Sequence, residues 1–214
     1  MSNQLYWFIA RASGITSWAL LTTSVIWGLL LSSKVLGKRP RPNWLLDLHR
    51  FLGGTAAIFV GVHVTALVAD SFVHIGPSEI LVPLTSSYRP VAVAWGVVSL
   101  YLLAAVELTS LARKHLPKQV WHGVHMASFP LFAVATLHAF TAGTDSANVL
   151  LRMAIVAASV GVVGLTALRL VQATEQKPPR TTPHPAPSRP RWPEAPATQP
   201  PTAPVYAPPF GPRP

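Results

Sequence analysis

The chain has 214 residues, half of them hydrophobic, and only 11% carry charge, less than half of the ~25% usual in a soluble globular domain. Net charge is +10, from 17 Lys and Arg against 7 Asp and Glu, but the basic residues sit beside apolar runs, which argues for a membrane and against a nucleic-acid partner. Cysteine is absent, which excludes disulfides, thiolate metal sites, iron–sulfur ligation and cysteine nucleophiles, and leaves histidine to hold any metal.

The N-terminus shows neither a basic n-region nor a small-residue cleavage site, so the first apolar run is expected to be a retained span and not a signal peptide. Tyr6, Trp7 and Phe8 form an aromatic cluster suited to the headgroup level, and residues 15–31 follow as the first span. A connector with Lys34, Lys38, Arg39 and Arg41, broken by Pro40 and Pro42, leads through Trp44 into a second span over 45–69. Gly76, Pro77 and Pro83 make 70–90 an extramembrane turn region. A third span over 91–111 ends in Arg113, Lys114, His115 and Lys118; a fourth, over 120–140, contains Pro130; a fifth covers 148–170 after the turn TAGTDSA. Lipid admits only helices or closed barrels, and apolar runs this long and continuous fit helices. The expected fold is therefore all-α, a polytopic bundle of about five transmembrane helices occupying residues 1–173.

Beyond Gln172 the composition changes. Fifteen of the 22 prolines fall between Pro178 and Pro214, with no apolar periodicity, so 174–214 reads as a disordered Pro-rich tail, a solvated linker whose PPRTTPHPAP stretch carries no strong partner-domain consensus. Lys and Arg are concentrated in the connectors after spans one and three and at the C-terminal side, whereas the alternate side has Arg11 and Arg89. The positive-inside rule then puts the N-terminus outside and the tail in the cytoplasm.

Ionisable side chains within spans are costly and usually functional. His49 and His63 are 14 residues apart in span two, and His125 and His138 are 13 apart in span four. At ~1.5 Å per residue each pair is separated by about 20 Å along a helix, so one histidine lies toward each face of a ~30 Å hydrocarbon core. Spans two and four run in the same direction, which sets His49 level with His125 and His63 level with His138. Facing imidazoles on two levels suit two bis-histidine haems with no open coordination position, an electron-transfer arrangement. Gly53, Gly54 and Gly61, with Gly123 and Ala127, are the small residues expected to let a macrocycle approach the backbone. On an ideal helix 13 steps of ~100° leave His125 and His138 about 140° apart; Pro130 between them is the candidate for rewinding the helix, and His122 competes with His125. Glu107 is expected to pair with nearby bases, and His74, His115 and His184 are assigned no role.

These His pairs, together with RASGITSWALLTTSVIWGLLLS, LVPLTSSYRPVAVAWG and FTAGTD, resemble the ferric-reductase-like transmembrane domain of NADPH oxidases, ferric reductases and the haem subunit of bacterial methionine sulfoxide reductase systems, particularly single-domain actinobacterial members. The resemblance covers residues 6–172 and implies haem b held by His49, His63, His125 and His138 in a plasma-membrane electron carrier. Arg11, Arg50 and Arg89 stand near the span ends, either as partners of haem propionates or as interface anchors. The sequence departs from the oxidase pattern in having no flavin and nicotinamide domain after the spans, so a separate flavoprotein or a membrane quinol is expected to supply electrons to an external acceptor. A different class of reading is a non-redox membrane scaffold or assembly protein acting through its tail.

Overall fold

The computed structural model describes residues 2–33, 42–71, 75–143 and 148–175. The basic connector over 34–41, His74, positions 144–147 of the last turn and the tail from 176 onward, His184 included, lie outside the described residues. The elements are α1 (Ser2–Ser32), α2 (Asn43–Ala69), α3 (Pro77–Leu81), α4 (Pro90–Leu111), a 3-10 turn over Arg113–His115, α5 (Lys118–His125), α6 (Ser128–Ala142) and α7 (Val149–Glu175). Among the described residues there is no strand, and five stretches are long and apolar enough to cross a membrane: Gln4–Ser32, Asn43–Ala69, Pro90–Leu111, Lys118–Ala142 and Val149–Gln172. The unit that carries them runs from Met1 to Lys177. Helix α7 thus continues two residues past the boundary expected at 173.

The ends of the helices follow from local chemistry. Pro42 precedes α2 with extended backbone, and Pro90 opens α4 at a position where the missing N–H costs nothing. Arg89, forced out of the right-handed helical region by the following proline, takes the left-handed conformation at φ 41°. Its guanidinium donates to Thr141 O at 2.9 Å, which ties this corner to the end of α6. Residues 75–90 hold more structure than the plain turn expected over 70–90. There the Glu79 carboxylate accepts from Gly76 N at 2.9 Å and from the Ser78 hydroxyl at 2.8 Å, which closes the first turn of α3.

The first span is longer than the apolar run alone suggests, because Tyr6, Trp7 and Phe8 belong to α1 itself. The fourth departs most from expectation. It is two helices, α5 and α6, joined by a tight turn at Met126 and Ala127. Pro130 has no N–H to offer Met126 O, and Phe129 N takes that carbonyl instead at 3.2 Å, while Ala127 N reaches Val124 O at 2.9 Å. Both are i to i−3 bonds, and they wind the chain more tightly than an α-helix does.

Helix α1 packs along α2, α4 along α6, and α1 also meets α6 and α7. Val25 and Leu29 of α1, Phe132 of α6 and Val162 of α7 form the buried apolar cluster. Two indole N–H groups cross-brace the bundle, Trp18 Nε1 to Thr136 Oγ1 at 3.0 Å and Trp27 Nε1 to Leu45 O at 2.9 Å. Outside the bundle apolar side chains are turned outward in number, among them Phe51, Leu111, Leu150 and Val163. Exposed apolar area costs ~25 cal/mol per Å² in water; on helices of this length it is the face that lipid covers. The chain is a multi-pass membrane protein.

Candidate functional site

The four span histidines meet in two pairs. His49 of α2 lies against His125 of α5 with ring centres 6.0 Å apart and planes at 81°, and His63 of α2 lies against His138 of α6 at 6.4 Å and 78°. His122 is exposed and its ring approaches Trp121, not α2. The 13-residue spacing that an ideal helix does not align is accommodated by the tight turn at Met126 and Ala127. A 3-10 turn advances ~120° per residue against ~100°, so two or three residues recover ~40–60° of the offset; the rest is absorbed because the two histidines stand on separate helices.

Three of the four rings are fixed by a device that involves backbone more than side chain. His63 Nδ1 is 2.7 Å from Ala10 O, His138 Nδ1 is 2.8 Å from Ala92 O, and His49 Nδ1 is 3.1 Å from Ser24 O with the Ser24 hydroxyl at 3.3 Å. A carbonyl can only accept, so Nδ1 carries the proton and Nε2 keeps a lone pair, the form in which an imidazole can ligate a metal. One turn beyond each carbonyl stands a glycine against the same ring. A Cβ at Gly14 would come within 2.9 Å of His63, one at Gly28 within 3.1 Å of His49, and one at Gly96 within 2.6 Å of His138. The carbonyl of residue i in a helix points toward residue i+4. A glycine there opens a lane through which an imidazole from the neighbouring helix reaches that carbonyl. Ala10 and Gly14, Ser24 and Gly28, and Ala92 and Gly96 are three copies of this arrangement, and the first two are 14 residues apart on α1, matching the two histidines of the antiparallel α2.

His125 is held differently. Its Nδ1 is buried with no hydrogen-bond partner, and its ring stacks on Trp121 at 5.2 Å and 20°. Arg113 lies over the same indole, with Cζ 4.4 Å from the Trp121 ring centre.

Small residues singled out from the sequence are distributed otherwise than expected. Nothing lies within 4 Å of a Cβ built at Gly54, Gly61 or Gly123, whereas one at Gly53 would meet the Glu107 carboxylate at 2.7 Å. Glu107 therefore faces α2, and among the described residues no base pairs with it; Arg113, the nearest base by sequence, is engaged with Trp121. Of the three arginines, Arg11 lines the cavity of about 270 Å³ that also holds His63, His138, Gly14 and Gly96, and its guanidinium lies 4.9 Å from the Trp7 ring centre. Arg50 is exposed and bonded to Asp47 at 3.1 Å, and Arg89 is bonded to Thr141 O; neither lines that cavity.

The donor set can be tested against a haem iron. An imidazole nitrogen is ~1.2 Å from its ring centre and a metal–imidazole bond is ~2.0 Å, so two rings on opposite sides of one metal have centres about 6.4 Å apart. Separations of 6.0 and 6.4 Å fit that requirement. Among the described residues no group of three or more His, Asp or Glu side chains gathers, so a bare zinc-type ion lacks the ligands it needs. A metal that brings its equatorial ligands with it needs only the pair. Compared with protein families, with curated proteins and with solved structures, the chain matches none.

Proposed function

We propose that this chain is a haem b-binding, ferric-reductase-like membrane protein that passes electrons across the bilayer, with one haem between His49 and His125 and a second between His63 and His138. The observation that carries the reading is the two facing imidazole pairs, each at the separation of a bis-imidazole iron and set on different levels of a five-span bundle. Haem supplies reversible one-electron chemistry when bound. The chain's own part is to present Nε2 from each ring, to fix the ring direction through carbonyls of α1 and α4, and to surround the pairs with apolar helices that exclude water. In this reading the 49/125 level faces the cytoplasm and receives electrons from a separate flavoprotein or a membrane quinol. The 63/138 level faces outward and delivers them to an external acceptor, and Arg11, the arginine in the cavity of the 63/138 pair, is placed to neutralise a haem propionate there.

The test is the spectrum and stoichiometry of protein purified from cells with adequate haem supply. A reducible b-type spectrum with two haems per chain by pyridine haemochrome is expected. A protein with no haem overturns the reading, and one with a single haem overturns the assignment of both levels.

A further inference from the structure

Three of the four imidazoles rest on a carbonyl reached past a glycine, and the fourth does not. The reason lies in the register between α4 and α5–α6. His138 sits against Ala92 O and Gly96. A 3-10 turn rises ~2.0 Å per residue against ~1.5 Å, so two or three such residues add about the rise of one α-helical residue. The 13 residues from His125 to His138 therefore cover the height of 14 on α4, the same interval that separates Gly14 from Gly28. Counting 14 from Ala92 and Gly96 gives Val106 and Ser110. Val106 is buried, as the packed face requires, and its carbonyl lies 3.2 Å from the Thr109 hydroxyl. Where the other three positions have glycine, this register carries Ser110, whose Cβ stands where glycine has only a hydrogen. His125 Nδ1 is buried and unpartnered, and its ring stacks on Trp121. Stacking resists tilt but leaves a ring free to turn and slide in its own plane, whereas a hydrogen bond fixes direction and raises ligand basicity.

We propose that His125 is the displaceable ligand of the four, so that the iron of the 49/125 pair opens a position to a small neutral diatomic ligand while that of the 63/138 pair stays closed. The proposal rests on the haem binding argued above. Loss of an outer hydrogen-bond partner weakens metal ligation ~10–100-fold, which is the scale of the expected difference between the pairs.

Carbon monoxide is the probe, titrated into the dithionite-reduced full chain and followed in the Soret band. The intact protein should bind it at one of two haems. The double variant His63→Ala/His138→Ala, which keeps only the 49/125 pair, should bind it at least 10-fold more tightly than His49→Ala/His125→Ala, which keeps only the 63/138 pair. Ser110→Gly placed in the former should weaken CO binding about 10-fold by admitting the ring to Val106 O, and Ser110→Ala should leave it unchanged. Equal CO affinity at the two pairs, binding at the 63/138 pair alone, or no CO binding by a protein that carries both haems overturns the proposal and leaves haem binding standing. An unchanged affinity in Ser110→Gly removes Ser110 as its cause. Protein without haem by pyridine haemochrome fails at the earlier reading instead.

Discussion

Gly96→Ala is the substitution in which the carbonyl-and-glycine device can be measured. The added Cβ would stand 2.6 Å from His138 Cε1 and 2.8 Å from Nδ1, where ordinary contact begins at 3.4 Å, so the ring must retreat by about 0.8 Å. Retreat of that size stretches the 2.8 Å bond from Nδ1 to Ala92 O to about 3.6 Å, beyond hydrogen-bond length. A buried donor left without its acceptor costs ~1–3 kcal/mol, and an axial ligand deprived of this support should hold metal ~10–100-fold less tightly. Helix propensity acts in the opposite direction by ~1 kcal/mol, since alanine is the better helix former. The control is Gly164→Ala on α7, where a Cβ meets nothing within 4 Å and only the propensity gain applies. Haem retained through purification, scored by pyridine haemochrome together with thermal unfolding in detergent, should fall toward one per chain in Gly96→Ala and stay at two in Gly164→Ala. Full haem content in Gly96→Ala, or equal loss in both variants, would refute the reasoning.

Other consequences concern the scaffold and the loop. Phe132→Ala opens the cluster formed with Val25, Leu29 and Val162 and should destabilise the bundle by ~3–5 kcal/mol, while Leu150→Ala, 78% exposed, should shift denaturant-induced unfolding by no more than ~0.5 kcal/mol. Trp18→Phe removes the indole bond to Thr136 and should cost ~0.5–1.5 kcal/mol in the same assay; no change would mean that α1 and α6 are held by packing alone. The bonds from the Ser78 hydroxyl and the Gly76 N–H hold the Glu79 carboxyl below its ordinary value of 4.5. A lowered folded-state value means the cap is intact above 4.5 and is lost as pH falls through the depressed value, so the protection factors of amides 76–82, observed exchange taken relative to the intrinsic rate at each pH, should fall only on acidification below about 4.5 and should show no such fall in Glu79→Gln. Truncation after Lys177, the end of the helical unit, should preserve the haem spectrum and membrane insertion, and loss of either would show that the tail packs on the bundle.

The bundle was legible because its signal is summed over many residues. Five apolar stretches of about the right length leave little choice of architecture once lipid is the solvent, and the helices found at Gln4–Ser32, Asn43–Ala69, Pro90–Leu111, Lys118–Ala142 and Val149–Gln172 follow the expected spans to within a turn except at the N-terminus of the first. Features decided by one residue were less legible. Pro130 announced a disturbance in span four, but its position identifies only the residue that lacks an N–H. The break itself falls at Met126 and Ala127, one turn earlier, because the disturbed bond is the one whose acceptor is four residues back. Glu107 looked like the partner of the bases after span three by proximity in sequence, yet a helix carries it round to face Gly53 of α2.

At the site the histidines were visible and most of what positions them was not, for a physical reason. The partners of His49, His63 and His138 are main-chain carbonyls, and every residue has one, so composition cannot mark Ala10, Ser24 or Ala92 as special. The accompanying glycines do carry a signal, though not the one sought. The glycines that stand against the rings lie not on the helices of the histidines but on the partner helices α1 and α4. What betrays them is the interval: Gly14 and Gly28 repeat the 14-residue spacing of His49 and His63. Two antiparallel straight helices can mate at two points only if both carry the same period, because the rise per residue is common to them. The same rule read on α4 calls for a glycine at 110, where the chain has serine, and His125 is the histidine without a carbonyl partner. A matched interval on two neighbouring spans therefore reports their pairing, and a break in the match falls at the one ring that has no carbonyl to rest on.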